Sequence, residues 1–132
     1  MDNVSIYVTS NKGAPSEVQA TMIQQLNALH PYWRGEFGVE MIVKDGEETL
    51  RLPFKIGRHR VNVDLTYDHG EDLYNVRAVD VDRFTRQIMN MGTPTPEEWE
   101  MMTRDATILD SRGLFWDSLI DTFREVAAKV DR

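Results

Sequence analysis

The clearest pattern in the chain is a two-residue alternation between Arg58 and Val79. Val61, Val63, Leu65 and Tyr67 take every second position with Asn62, Asp64 and Thr66 between them, the period of a strand with one buried and one wet face. Further on, Tyr74, Val76 and Ala78 alternate with Asn75 and Arg77. Together they predict a hairpin that forms the centre of a sheet. A two-residue loop at His69-Gly70 or a four-residue loop from Asp68 to Glu71 gives one register. Leu65 then faces Tyr74, Val63 faces Val76 and Val61 faces Ala78. On the polar face Asn62 lies opposite Arg77 and Asp64 opposite Asn75, with Asp64 and Arg77 close enough for a diagonal charge pair.

Other segments follow from similar patterns. Val4, Ile6 and Val8 predict a first strand that ends at the turn cluster Ser10-Asn11-Lys12-Gly13. Ser16 and Gln19 have capping-box spacing and open a helix with Val18, Met22, Leu26 and Leu29 on one face. His30-Pro31 closes it, because the residue before proline avoids the α region. Pro31 to Phe37 reads as a loop. Val39–Lys44 and Glu47–Leu52 predict a second hairpin about Asp45-Gly46, pairing Val39 with Leu52, Met41 with Leu50, Glu40 with Arg51 and Lys44 with Glu47. Pro53 marks a strand end or an edge.

After Val79 the period becomes helical. Val81, Phe84, Ile88 and Met91 run from an Asp80 cap to Gly92-Thr93-Pro94. Thr95-Pro96-Glu97-Glu98 then starts a helix carrying Trp99, Met102 and Ala106, ending between Arg104 and Ser111. Asp110 or Ser111 caps a last helix with Trp116, Leu119, Ile120, Phe123, Val126, Ala127 and Val130 on one face. The order is β-α-β-β-β-β-α-α-α. It predicts one α+β domain over residues 1–132, an antiparallel sheet of about five strands with helices packed on one face.

Composition narrows the function classes. The 132 residues are 41% hydrophobic and 28% charged, values of a globular chain and not a disordered one. With no cysteine, disulfides, thiolate zinc sites and thiol nucleophiles are excluded, which fits a reducing compartment. The net charge is −7, and residues 67–132 carry most of it, with fourteen acids and eight bases against eight and seven in residues 1–66. An acidic surface suits a basic partner or solubility and disfavours duplex nucleic acid. The acidic start Met1-Asp2-Asn3 does not resemble a secretory signal, and no apolar run approaches a membrane span, so the expectation is a cytoplasmic protein.

The chain has no dinucleotide fingerprint, phosphate-loop lysine, nucleophile elbow or paired zinc histidines. His30, His59 and His69 are too scattered to suggest a metal site, and no cofactor is expected. His59/Asp64 and His69/Glu71 are conceivable acid–base pairs, with Asp68, Glu71 and Asp72 beside the latter at the hairpin tip. They would serve a small hydrolase only if a substrate pocket adjoined them. Lys55-Ile56-Gly57-Arg58-His59-Arg60 is the one local concentration of positive charge. With Arg77 it gives the nucleic-acid reading, carried by Lys55, Arg58, Arg60 and Arg77. Tyr32, Trp33 and Arg34 combine aromatics with a guanidinium as recognition surfaces do. Met89 and Met91 with Trp99, next to Met101 and Met102, suit an adaptable contact surface or core filler. The Asp117, Asp121 and Glu125 stripe reads as a solvated helix face. The leading expectation is a small acidic, non-enzymatic protein of the inhibitor, immunity or accessory-chaperone kind. It would bind a protein partner, a second copy of itself included, through Tyr32, Trp33, Arg34, Met89, Met91 and Trp99.

Overall fold

A computed structural model describes residues 7–9, as backbone, and residues 15–130. Val4, Ile6 and the cluster Ser10–Gly13 lie outside the described residues. In chain order the elements are β1 (Tyr7–Thr9), α1 (Glu17–Leu29), α2 (Trp33–Phe37), β2 (Ile42–Asp45), β3 (Thr49–Ile56), β4 (His59–Asp68), β5 (Leu73–Asp80), α3 (Val81–Met91), α4 (Pro96–Ala106), β6 (Thr107–Leu114) and α5 (Leu119–Val130), with one 3₁₀ turn at Trp116–Ser118. The strands form a single sheet in sequence order, in which β2 to β6 pair antiparallel and β1 joins β2 in parallel. The α+β class and the antiparallel sheet are as the periodicity predicts.

Two elements are not. Residues 31–37, expected as a loop, include α2, which Gly38 terminates at φ 64. That conformation needs glycine here, because a Cβ would also collide with the Lys55 carbonyl. Residues 107–114, expected as the end of one helix and the cap of the next, form the sixth strand. Register irregularities between Tyr74 and Val76 and between Ala78 and Val79 interrupt its pairing with β5. Bulges of this kind shift residues off the period of two and hide the strand from pattern reading.

Both hairpins also pair differently from expectation. In β4–β5, Leu65 faces Val76, Val63 faces Ala78, Tyr67 faces Tyr74 and Asp64 faces Arg77. The Asp68 side chain accepts from the Gly70 amide at 2.9 Å, its carbonyl accepts from the Asp72 amide at 2.8 Å, and Asp72 adopts φ 56. The turn therefore closes between Asp68 and Leu73. The displacement is two residues and leaves every side chain on its predicted face. In β2–β3 the displacement is three residues: Val43 faces Arg51, Lys44 faces Leu50 and Asp45 faces Thr49. An odd displacement exchanges the faces, so Ile42 is buried while Met41 is 41% exposed. The cause is α1. Its buried Gln19 donates Nε2 to the carbonyls of Gly46 (3.1 Å) and Thr49 (2.9 Å), and Ser16 Oγ donates to the Glu47 carbonyl (2.5 Å). These bonds hold a three-residue turn in place of the expected two-residue one. Pro53 is interior to β3, but β2 pairs only as far as Arg51, so the proline occupies a stretch with a free side.

The core lies on one face of the sheet. Leu50, Leu52, Phe54, Val61, Val63, Leu65, Val76 and Ala78 meet Met22, Ile23 and Leu26 of α1, Trp33 and Phe37 of α2, and Leu119, Phe123 and Val126 of α5. Phe37 stacks on Phe54 at 5.0 Å, and Phe123 presents its edge to both at 5.8 and 5.3 Å. Helices α1, α2 and α5 supply the helical layer of this core. The other two do not join that layer. Residues of α3 and α4 border depressions on the opposite, polar face, α3 has no buried residue, and α4 buries only Met102 and Ala106.

Candidate functional site

The polar face of the sheet is organised by register. Arg51 on β3 pairs with Asp64 on β4, Asp64 with Arg77 on β5, and Arg77 with Asp110 on β6, a cross-strand row of alternating charge. Asp64 gives its carboxylate to Arg51, accepting from Nε at 2.9 Å and Nη2 at 3.3 Å. That bond raises the Arg51 pKa above its ordinary value, and Arg51 also approaches Asp45 at 3.7 Å. Asp110 pairs with Arg112 at 3.6 Å. Among the described residues the Arg77 side chain has no hydrogen bond or ion pair, although an aspartate flanks it in each ladder.

Helices α3 and α4 wall this face. The Asp80 side chain caps α3 through the Arg83 amide at 3.0 Å. Thr95 and Glu98 form the predicted capping box of α4, with Pro96 in its first turn. Polar bonds anchor the pair: Asp82 to Arg60 (2.7 Å), and Asp105 to Arg83 (3.1 Å) and Gln87 (2.5 Å). Phe84 and Trp99 meet edge to face at 5.0 Å. Trp99 remains 49% exposed and, with Arg77, lines two depressions of about 720 and 330 Å³. Arg77 also borders a third of about 360 Å³ toward Thr66 and Asn75. Three hollows therefore share Arg77, whose side chain has no partner among the described residues, and two of them share the half-exposed Trp99.

The residues singled out from sequence fall in separate places. Trp33 is fully buried, with its Nε1 donating to Asn27 Oδ1 at 2.9 Å. It is a core residue, which corrects its reading as a partner contact; the short helix turns it inward. Tyr32 is exposed, and Arg34 donates Nη2 to the Glu40 carbonyl at 2.9 Å, so the three do not form one patch. Met89, Met91 and Trp99 are exposed on the α3–α4 pair together with Met101 (78% for Met89, 65% for Met101), whereas Met102 is buried.

Lys55 and Arg60 face each other across the β3–β4 ladder, and Arg58 is in a tight turn that Gly57 opens at φ 59. Arg60 is bound by Asp82. Arg77 lies opposite Asp64, four residues along β4 from Arg60 and roughly 13 Å away, so the four cations are not one cluster. His59 is five positions from Asp64 and points to the other side of the strand. His69 pairs with Glu48 at 2.8 Å, not with Glu71, and the Tyr67 hydroxyl donates to Asp72, which pushes its pKa up to about 12. Asp68 and Asp72 are thus bonded within the tip, and His69 is held from the β2–β3 turn. Among the described residues no cluster of three or more His, Asp or Glu could hold a metal.

Asp110 and Arg112 were missed because their strand was invisible to periodicity. Comparison with protein families, curated proteins and solved structures found no match.

Proposed function

We propose that this is a small acidic, non-enzymatic protein of the inhibitor, immunity or accessory-chaperone kind, which docks a protein partner on the polar face of its sheet along α4. The observation that carries this reading is the half-exposed Trp99 lining the same hollow as Arg77, whose side chain has no partner among the described residues. Tryptophan and arginine dominate binding energy at interfaces, and methionine is enriched there, which adds Met89, Met91 and Met101 to the surface. No helix among the described residues is long and apolar enough to cross a membrane, and the absence of cysteine supports a reducing, cytoplasmic setting.

The test uses the full chain as bait in parallel with Trp99→Ala and Trp116→Ala, the second removing an exposed tryptophan outside this face. A protein captured by wild type and Trp116→Ala but lost with Trp99→Ala, and then bound by purified wild type in calorimetry, supports the reading. Equal capture by all three removes it. If the partner is a second copy, light scattering gives a dimer that Trp99→Ala converts to monomer. A nucleic-acid reading through Lys55 and Arg58 draws support from their exposure at the β3–β4 turn. It requires affinity that falls steeply with salt.

A further inference from the structure

The docking role proposed above leaves open what the partner presents, and the charge row specifies it. In a cross-strand row, opposite residues have Cβ atoms about 5 Å apart, so Arg77, with an aspartate in each ladder, should be the best neutralised cation of the face. It is the least. Asp64 is committed to Arg51 by two hydrogen bonds, and Asp110 leans to Arg112. On α4, Arg104 closes on Glu100 at 3.4 Å. Every other charge bordering the 720 Å³ hollow has a partner within the chain, leaving Arg77 as the one charged side chain of that hollow with no ion pair among the described residues.

We infer that Arg77 receives a single carboxylate, the side chain of an Asp or Glu in an extended segment of the partner, with an adjoining apolar side chain lying against Trp99. A guanidinium fork matches the two oxygens of a carboxylate. A phosphate dianion would bring a second negative charge among Asp64, Asp110 and Glu100, where one cation cannot offset it. The three hollows that border Arg77 extend from it in different directions, toward Arg104 on α4, toward Phe84 on α3 and toward Thr66 on β4, so free space continues past it. A chain can continue past the contact, which selects an internal acidic residue over a chain end.

The probe is the capped peptide acetyl-Ala-Leu-Glu-Leu-Ala-amide, titrated into the ¹⁵N-labelled 132-residue chain while the Trp99 Nε1–H and Arg77 Nε–H resonances are followed. Comparison ligands are the same peptide with Gln for Glu, N-acetyl-leucine and inorganic phosphate. Saturable shifts at both resonances are expected, weakened about tenfold or more by the Gln peptide, as for loss of a charge-assisted bond. Arg77→Gln removes the shift at Trp99, and Arg77→Lys restores it only in part. No saturable shift with the Glu peptide overturns the inference, as do equal binding of the two peptides or tighter binding of phosphate or N-acetyl-leucine. Full capture of the partner by Arg77→Gln, with loss by Trp99→Ala, overturns the carboxylate contact and leaves the docking role standing.

Discussion

Arg77 stands directly opposite Asp64 in the β4–β5 ladder, yet Asp64 is held at 2.9 Å by Arg51, from the strand on its other side. A charge row that pairs its other members while leaving this one open is suited to recognition, since an arginine already bound to an acid must break that bond before it can take another.

Removing the competitor should therefore disable the site from a distance. In Arg51→Leu, Asp64 is free to turn to Arg77, and binding of the Glu peptide should fall severalfold although Arg77 and Trp99 are untouched. The stability cost should stay below about 1 kcal/mol, because both partners of this pair are partly exposed. Urea denaturation alongside the titration checks both halves; unchanged peptide affinity would show that Asp64 does not compete.

Gln19 should be the polar side chain on which the β2–β3 register depends. It is fully buried, donates to two carbonyls and completes the α1 capping box with Ser16. Gln19→Leu leaves those carbonyls without their donor and should cost roughly 2–4 kcal/mol, read as a lower urea midpoint at unchanged m-value. A loss under 0.5 kcal/mol, an order-of-magnitude bound for ordinary surface changes, would contradict this role.

Gly38 and Gly46 both have positive φ, near +64° and +66°, but only Gly38 meets a steric wall, at Lys55. Gly46→Ala should cost about 1–2 kcal/mol, the ordinary penalty of that backbone region. Gly38→Ala should cost clearly more, and equal thermal shifts for the two would refute the collision.

Glu36 couples α2 to α5. Arg124 donates to it at 2.8 and 3.2 Å and His30 lies at 2.7 Å, and these contacts, Arg124 first, lower its pKa from 4.5 to about 2. A depressed carboxylate pKa stabilises the fold above the unfolded value, and that contribution is lost as pH falls from about 4.5 toward 2. Glu36→Gln should be less stable than wild type at neutral pH and should show a flatter decline across that window in chemical denaturation. Parallel curves would show that the Arg124 contact does not set the carboxylate's titration.

The sequence by itself determined whatever is decided within a few residues. The inward faces of β3, β4 and β5 follow from alternation, and the capping boxes at Ser16/Gln19 and Thr95/Glu98 start α1 and α4 where predicted, because a cap bonds only three residues away. The α+β class follows from those segments. Tertiary structure decided what depends on distant partners. Gln19 reaches across 27 and 30 residues to set a turn, and that turn moves β2 by an odd step and exchanges its faces. Bulged β6 exists as a strand only because β5 offers it an edge. The site is of the same kind. Asp64 had two arginines within reach, and three-dimensional geometry gave it to Arg51, leaving Arg77 open. No local pattern encodes that choice, because opposite charges in a row differ in energy only through the positions their side chains reach.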